Sequence, residues 1–134
     1  MSKLKSFVNQ PDFGLLLFRF FVGATMAFSH GLGKLPPSEQ LIQGVTGMGF
    51  PLPVVFAWAA ALSEFVGGLF IAAGLFTRLA TVFLAFTMGV AAFVVHSADP
   101  FNVKEMALLY FASTILLFFT GAGQYSADRL LRHK

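Results

Sequence analysis

The sequence predicts an all-α membrane protein, with four transmembrane helices forming a compact antiparallel bundle and both termini cytoplasmic. Three observations carry this. Hydrophobic residues make up 57% of the chain and charged residues only 11%, and a water-soluble domain of 134 residues cannot bury that much apolar surface. Phenylalanine alone occurs 18 times, which suits helices packed against lipid tails. The apolar residues also gather into four runs, each long enough or nearly so to cross a hydrocarbon core.

The runs fall at about residues 13–30, 54–75, 79–96 and 105–122, and the whole chain reads as one domain. The N-terminal segment MSKLKSFVNQPDF has two lysines but no small-residue cleavage site, so it leads into a first span and is not a removable signal. The longest connection opens with Pro36-Pro37-Ser38-Glu39. Ser38 is placed to cap a short amphipathic surface helix over about residues 38–46. Only Phe76, Thr77 and Arg78 separate the second and third runs, which predicts a tight hairpin across the bilayer. After the fourth run, glycines stop the helix, Tyr125 suits the interface, and Ser126 can cap a short helix in the basic tail, residues 124–134, facing lipid headgroups.

Lys3, Lys5, Arg78, Arg129, Arg132 and Lys134 fall on one side of this topology, against Lys34 and Lys104 on the other. The positive-inside rule then places both termini in the cytoplasm. It also explains the pI near 9.6 without nucleic acid, since no basic face is interleaved with aromatic residues. Cysteine is absent, which excludes disulfides, thiolate metal sites and Cys-X-X-Cys redox chemistry carried by the chain itself.

Two charges lie within the spans. Measured from an outer helix end near His30, Arg19 is eleven residues deep, roughly 16 Å. Glu64 is ten residues from the outer start of the second span, roughly 15 Å. This arithmetic predicts an Arg19–Glu64 ion pair near the midplane. Such a pair serves either as structural glue, relieving an insertion cost of at least ~2.5 kcal/mol per lone charge, or as a ligand or proton-relay site in which Arg19 keeps Glu64 ionised. Gly67 and Gly68 share a helix face with Glu64, and Gly23 follows Arg19 by one turn. With Gly74, these glycines are read as helix-packing positions.

Arg19, Gly23, Met26 and His30 form one stripe from the midplane to the outer rim, where it could line an open cleft. His30, Lys34, His96, Lys104 and Glu105 make a second polar group at the outer ends of the spans. Each has a structural alternative: the histidines suit helix C-termini, and Glu105 suits a capping position three residues after Asn102. Two histidines without a third ligand do not make a metal site, and haem is disfavoured on the same ground. Gly31-Leu32-Gly33 lacks the strand and helix of a dinucleotide fingerprint, and no nucleophile elbow surrounds Ser29 or Ser97.

With these residues assembled, the chain resembles the DoxX family of small bacterial inner-membrane proteins over about residues 14–131. The likeness rests on LLLFRFFVGATMAFSHGLGKL, the Gly49–Pro51 segment GFP, LSEFVGGLFIAAGLFTR, FVVHS with His96, Lys104, and TGAGQYSADRLL. Ala122 stands where such proteins often have proline. The resemblance implies a four-helix membrane fold in a bacterial inner (plasma) membrane. It also implies an association with redox metabolism, because some relatives are membrane subunits of thiosulfate:quinone oxidoreductase and others accompany oxidative-stress or aromatic-degradation enzymes.

The leading functional expectation is a membrane subunit of a redox system that binds a quinone or similar lipid-soluble carrier near Arg19, Glu64, His30 and His96, and that is not catalytic alone. One alternative is a non-catalytic anchor or assembly subunit for a soluble enzyme, using the basic tail and the Arg78 turn. A further one is a small proton-coupled transporter. The expected partners are the lipid bilayer together with a protein partner or further copies of the chain, and no nucleic acid.

Overall fold

The computed structural model describes residues 2–133, and no strand occurs among them. Lys134, counted above among the terminal positive charges, lies outside the described residues. The element order is α1 (Ser2–Val8), α2 (Pro11–Thr25), α3 (Glu39–Gly47), α4 (Pro53–Ala73), α5 (Thr77–Val90), α6 (Phe101–Thr120) and α7 (Ala127–Arg132). Helix α2 does not stop at Thr25. It continues as a π turn over Met26–Gly31 and a 3-10 turn over Leu32–Lys34, and α5 continues as a π turn over Ala91–Val95.

Four helical stretches are long and apolar enough to cross a membrane: Lys3–Lys34, Pro53–Ala73, Thr77–Val95 and Phe101–Thr120. Much of their outward surface is phenylalanine, including Phe20, Phe21, Phe83, Phe86, Phe93 and Phe119, all exposed on the bundle. In water that surface would be a large aggregating patch, whereas against acyl chains it is in its proper solvent. The interior is correspondingly small, built on Met26, Ile71, Leu84, Met88 and Leu117.

Helices α2 and α4 pack antiparallel through small residues. A Cβ on Gly68 would lie 2.7 Å from the Gly23 carbonyl oxygen and 2.8 Å from the Ala27 nitrogen, and one on Gly31 would strike the backbone of Glu64 and Phe65. The face of α2 turned to α4 is therefore Arg19, Gly23, Ala27 and Gly31, spaced by four residues. The expected stripe through Met26 and His30 gives way to this one, and it is closed against α4 instead of lining an open cleft. Gly67, although buried, is not needed for close approach, because an added Cβ would meet Ala80 O at an ordinary 3.9 Å. Ser63 and Thr87 join α4 to α5 through a 2.7 Å hydroxyl hydrogen bond.

Gly74 ends α4 in the left-handed region at φ 69°, and Leu75 N donates back to Phe70 O at 2.8 Å. This paired ending satisfies carbonyls that the last helical turn leaves open. At the start of α5 the caps come from far along the chain: the Asp128 carboxylate accepts from Phe76 N (2.6 Å) and Thr77 N (3.0 Å), while Asp128 N donates to Gly74 O (2.8 Å). Helix α7, whose own N-cap is Ser126, is thereby docked under the α4–α5 turn.

Candidate functional site

The predicted Arg19–Glu64 pair does not form. Arg19 is 1% exposed and points toward the face that carries the termini, where its guanidinium donates to the carbonyls of Ala122 (3.0 Å), Ile71 (3.4 Å), Ala72 and Tyr125. These acceptors lie at the C-terminal end of α4 and just beyond α6, where helix carbonyls lack intrahelical partners and the macrodipole favours a cation. The first helix runs on to Lys34 and does not end near His30, so depths counted from His30 do not hold. In the observed register Glu64 sits opposite Gly31 and Arg19 opposite Ala72, which separates the two charges by roughly 12–18 Å along the bundle.

The partner of Glu64 is Lys34. Its ammonium donates to both carboxylate oxygens, at 2.8 and 2.7 Å, from the last turn of the extended first helix. The two ends of the pair differ in environment: the Glu64 side chain is 3% exposed and that of Lys34 is 41% exposed. One helical turn before Lys34, the His30 ring meets the Tyr110 ring edge to face at 5.5 Å. Tyr110 comes from α6, and nothing local in its sequence marks it as a member of this group.

Lys34 also lines a cleft of about 580 Å³ between α3 and the π turn that ends α5. Leu41, Val45, Met48, Val94 and Val95 form its apolar walls, with Gly33, Ser38 and Gly44 completing the floor and rim. An ammonium has three N–H donors. Its contacts go to the two Glu64 oxygens, which leaves donor capacity for a further acceptor.

The other expected members of the polar group lie apart from this site. His96 Nδ1 is 2.7 Å from Asp99 Oδ2 within its own turn, Lys104 donates to Ser97 O at 3.1 Å, and neither residue lines the cleft. Glu105 is exposed and does not cap α6, since that helix begins at Phe101 with Pro100 as its N-cap and Asn102 already inside the first turn. Gly74 proves to be a helix terminator, and an added Cβ there would lie 2.6 Å from Ser126 Cβ and 2.9 Å from the Arg19 guanidinium carbon. Among the described residues, no group of three or more His, Asp or Glu side chains comes together as a metal site requires.

Four apolar helices long enough to span, closed by an arginine at one end and carrying a half-exposed lysine on a buried glutamate toward the other, define a small multi-pass membrane protein. The chain belongs to the DoxX family, whose model matches residues 14–97. It is 33% identical over 130 residues to inner membrane protein YqjF of Escherichia coli (strain K12), covering 92% of this chain and 95% of that protein. It is 34% identical over 118 residues to the protein named putative oxidoreductase CatD of Bacillus subtilis (strain 168), covering 87% and 86%. It is 29% identical over 132 residues to inner membrane protein YphA of Escherichia coli (strain K12), covering 88% and 94%. No solved structure matches the chain at a comparable level of significance.

Proposed function

We propose that the protein is a membrane subunit of a redox system and binds a quinone or similar lipid-soluble carrier in the cleft beside α3. The observation that carries this reading is the placement of Lys34: its ammonium is held by a buried carboxylate, and the residue lines a largely apolar cleft of about 580 Å³. A quinone needs such a site, an apolar slot with few polar donors set to meet a carbonyl oxygen. The carboxylate behind the lysine holds the donor in place, and together with the His30–Tyr110 pair it supplies groups that can move a proton. The name of the Bacillus subtilis relative, a putative oxidoreductase, agrees with this reading.

The electrons come from a partner subunit, since a chain without cysteine holds no thiolate-bound redox centre of its own. In this reading the positive-inside rule, applied to Lys3, Lys5, Arg78, Arg129 and Arg132, puts the termini on the cytoplasmic side and the Lys34 cleft toward the other. Titrating a short-chain benzoquinone into the purified protein, followed by calorimetry, tests the proposal. Saturable binding is expected, weakened at least roughly tenfold by Lys34→Met or Glu64→Gln, the worth of one hydrogen bond to a charged group. His96→Ala is expected to leave it unchanged. The proposal fails if the wild-type chain, alone and in complex with its partner, shows no saturable binding.

A further inference from the structure

A second cleft, of about 650 Å³, opens on the face that carries the termini, between the α4–α5 turn, the end of α6 and α7. Three of its lining residues are Arg78, Arg129 and Arg132. Its two carboxylates are already committed to backbone N–H groups: Asp12 accepts from Gln124 N at 3.0 Å, and Asp128 accepts from Phe76 and Thr77. The arginines are not committed in this way. Arg78 is anchored through Nε to Phe118 O at 3.1 Å, which leaves its terminal nitrogens to other acceptors. Arg129 and Arg132 are exposed and form no side-chain hydrogen bond or ion pair among the described residues.

An independent observation lies in the same cleft. Thr77 is among its lining residues, is 1% exposed, and has a buried hydroxyl with no hydrogen-bond partner among the described residues. Buried hydroxyls are nearly always satisfied, so this one calls for an acceptor or donor supplied from outside the chain. On the bilayer side the cleft is bordered by Phe76, Leu79 and Leu131, all exposed. Planar guanidinium groups with free N–H forks, a lone hydroxyl and an apolar border together match a phosphate carried on an acyl-chain anchor.

We infer that this cleft is a phosphate-binding site, filled by the headgroup of an anionic phospholipid whose chains run beside Leu79. Free inorganic phosphate shares the headgroup's chemistry. The site exists only because Asp128 docks α7 under the α4–α5 turn and so brings Arg129 and Arg132 to Arg78, about fifty residues away in sequence.

The test uses the full chain in nanodiscs of phosphatidylcholine alone or mixed with phosphatidylglycerol. Native mass spectrometry counts the phosphatidylglycerol retained after release, and calorimetry with inorganic phosphate is run on the micellar protein. Selective retention of phosphatidylglycerol is expected, falling roughly fivefold for each of Arg129→Gln and Arg132→Gln and unchanged by Lys3→Gln with Lys5→Gln. Asp128→Ala should also weaken retention, although it removes a negative charge from the cleft wall, because α7 is released. Binding of inorganic phosphate alone, lost in the same variants, would keep the site and assign it a soluble ligand. Equal loss in the Lys3/Lys5 variant, tighter retention in Asp128→Ala, or loss of a soluble protein partner in Arg129→Gln/Arg132→Gln with lipid retention intact would each overturn the inference.

Discussion

The unequal burial of Lys34 and Glu64 makes a sharp prediction about the cost of breaking their pair from either side. Lys34→Met strands a carboxylate whose side chain is only 3% exposed, a situation that costs about 3–5 kcal/mol. Glu64→Gln strands an ammonium on a side chain 41% exposed. That long stem can turn its head to water, so the loss is about 1 kcal/mol. The double variant has no orphan charge and should fall only about 2 kcal/mol below wild type, which leaves a coupling of about 3 kcal/mol. Unfolding in mixed micelles on titration with dodecyl sulfate, followed by circular dichroism, measures all four proteins. Equal losses in the two single variants would refute the asymmetry. A coupling of similar size between Arg19→Gln and Glu64→Gln would refute the register itself, since sites more than about 10 Å apart ordinarily add.

Two further variants examine the opposite end of the bundle by the same unfolding assay. Arg19→Lys keeps the charge but loses the five-donor fork that reaches Ala122, Ile71, Ala72 and Tyr125, and should cost about 3 kcal/mol; a neutral result would show that charge alone suffices there. Gly74→Ala forces a left-handed φ of 69° on an alanine and drives its methyl to within 2.6 Å of Ser126, so a loss of about 2–3 kcal/mol is expected. Wild-type stability in that variant would mean that the α4 terminator relaxes without disturbing Arg19.

The four-helix membrane architecture was legible because it depends on summed composition and on runs of twenty residues, signals that survive any error in detail. Ser38 and Ser126 were legible as caps because capping is settled within four residues. The partner of Glu64 was not, since depth counted along a helix is only as good as the end it is counted from. The π turn at Met26–Gly31 carries the first helix past His30, and the residues that show this, Gly31 against Glu64 and Phe65, do so only once the helices are packed. Asp128 went unseen for a related reason: its acceptor role is to backbone groups 51 and 52 residues earlier, a relation that no local motif records. Tyr110 looked like one more aromatic residue in an apolar span, and only the bundle brings it to His30.

Arg19 has a temporal consequence as well as a static one. Its bond to Ala122 spans 103 residues of chain, so at ordinary synthesis rates the guanidinium emerges roughly 5–20 s before that acceptor exists. Tyr125 arrives later still, and Asp128 after it. Through that interval the guanidinium lacks these acceptors, and the clasp can close only once the chain has been made through Tyr125. A chain cut short before Ala122 would contain every membrane span and still lack the clasp that closes them.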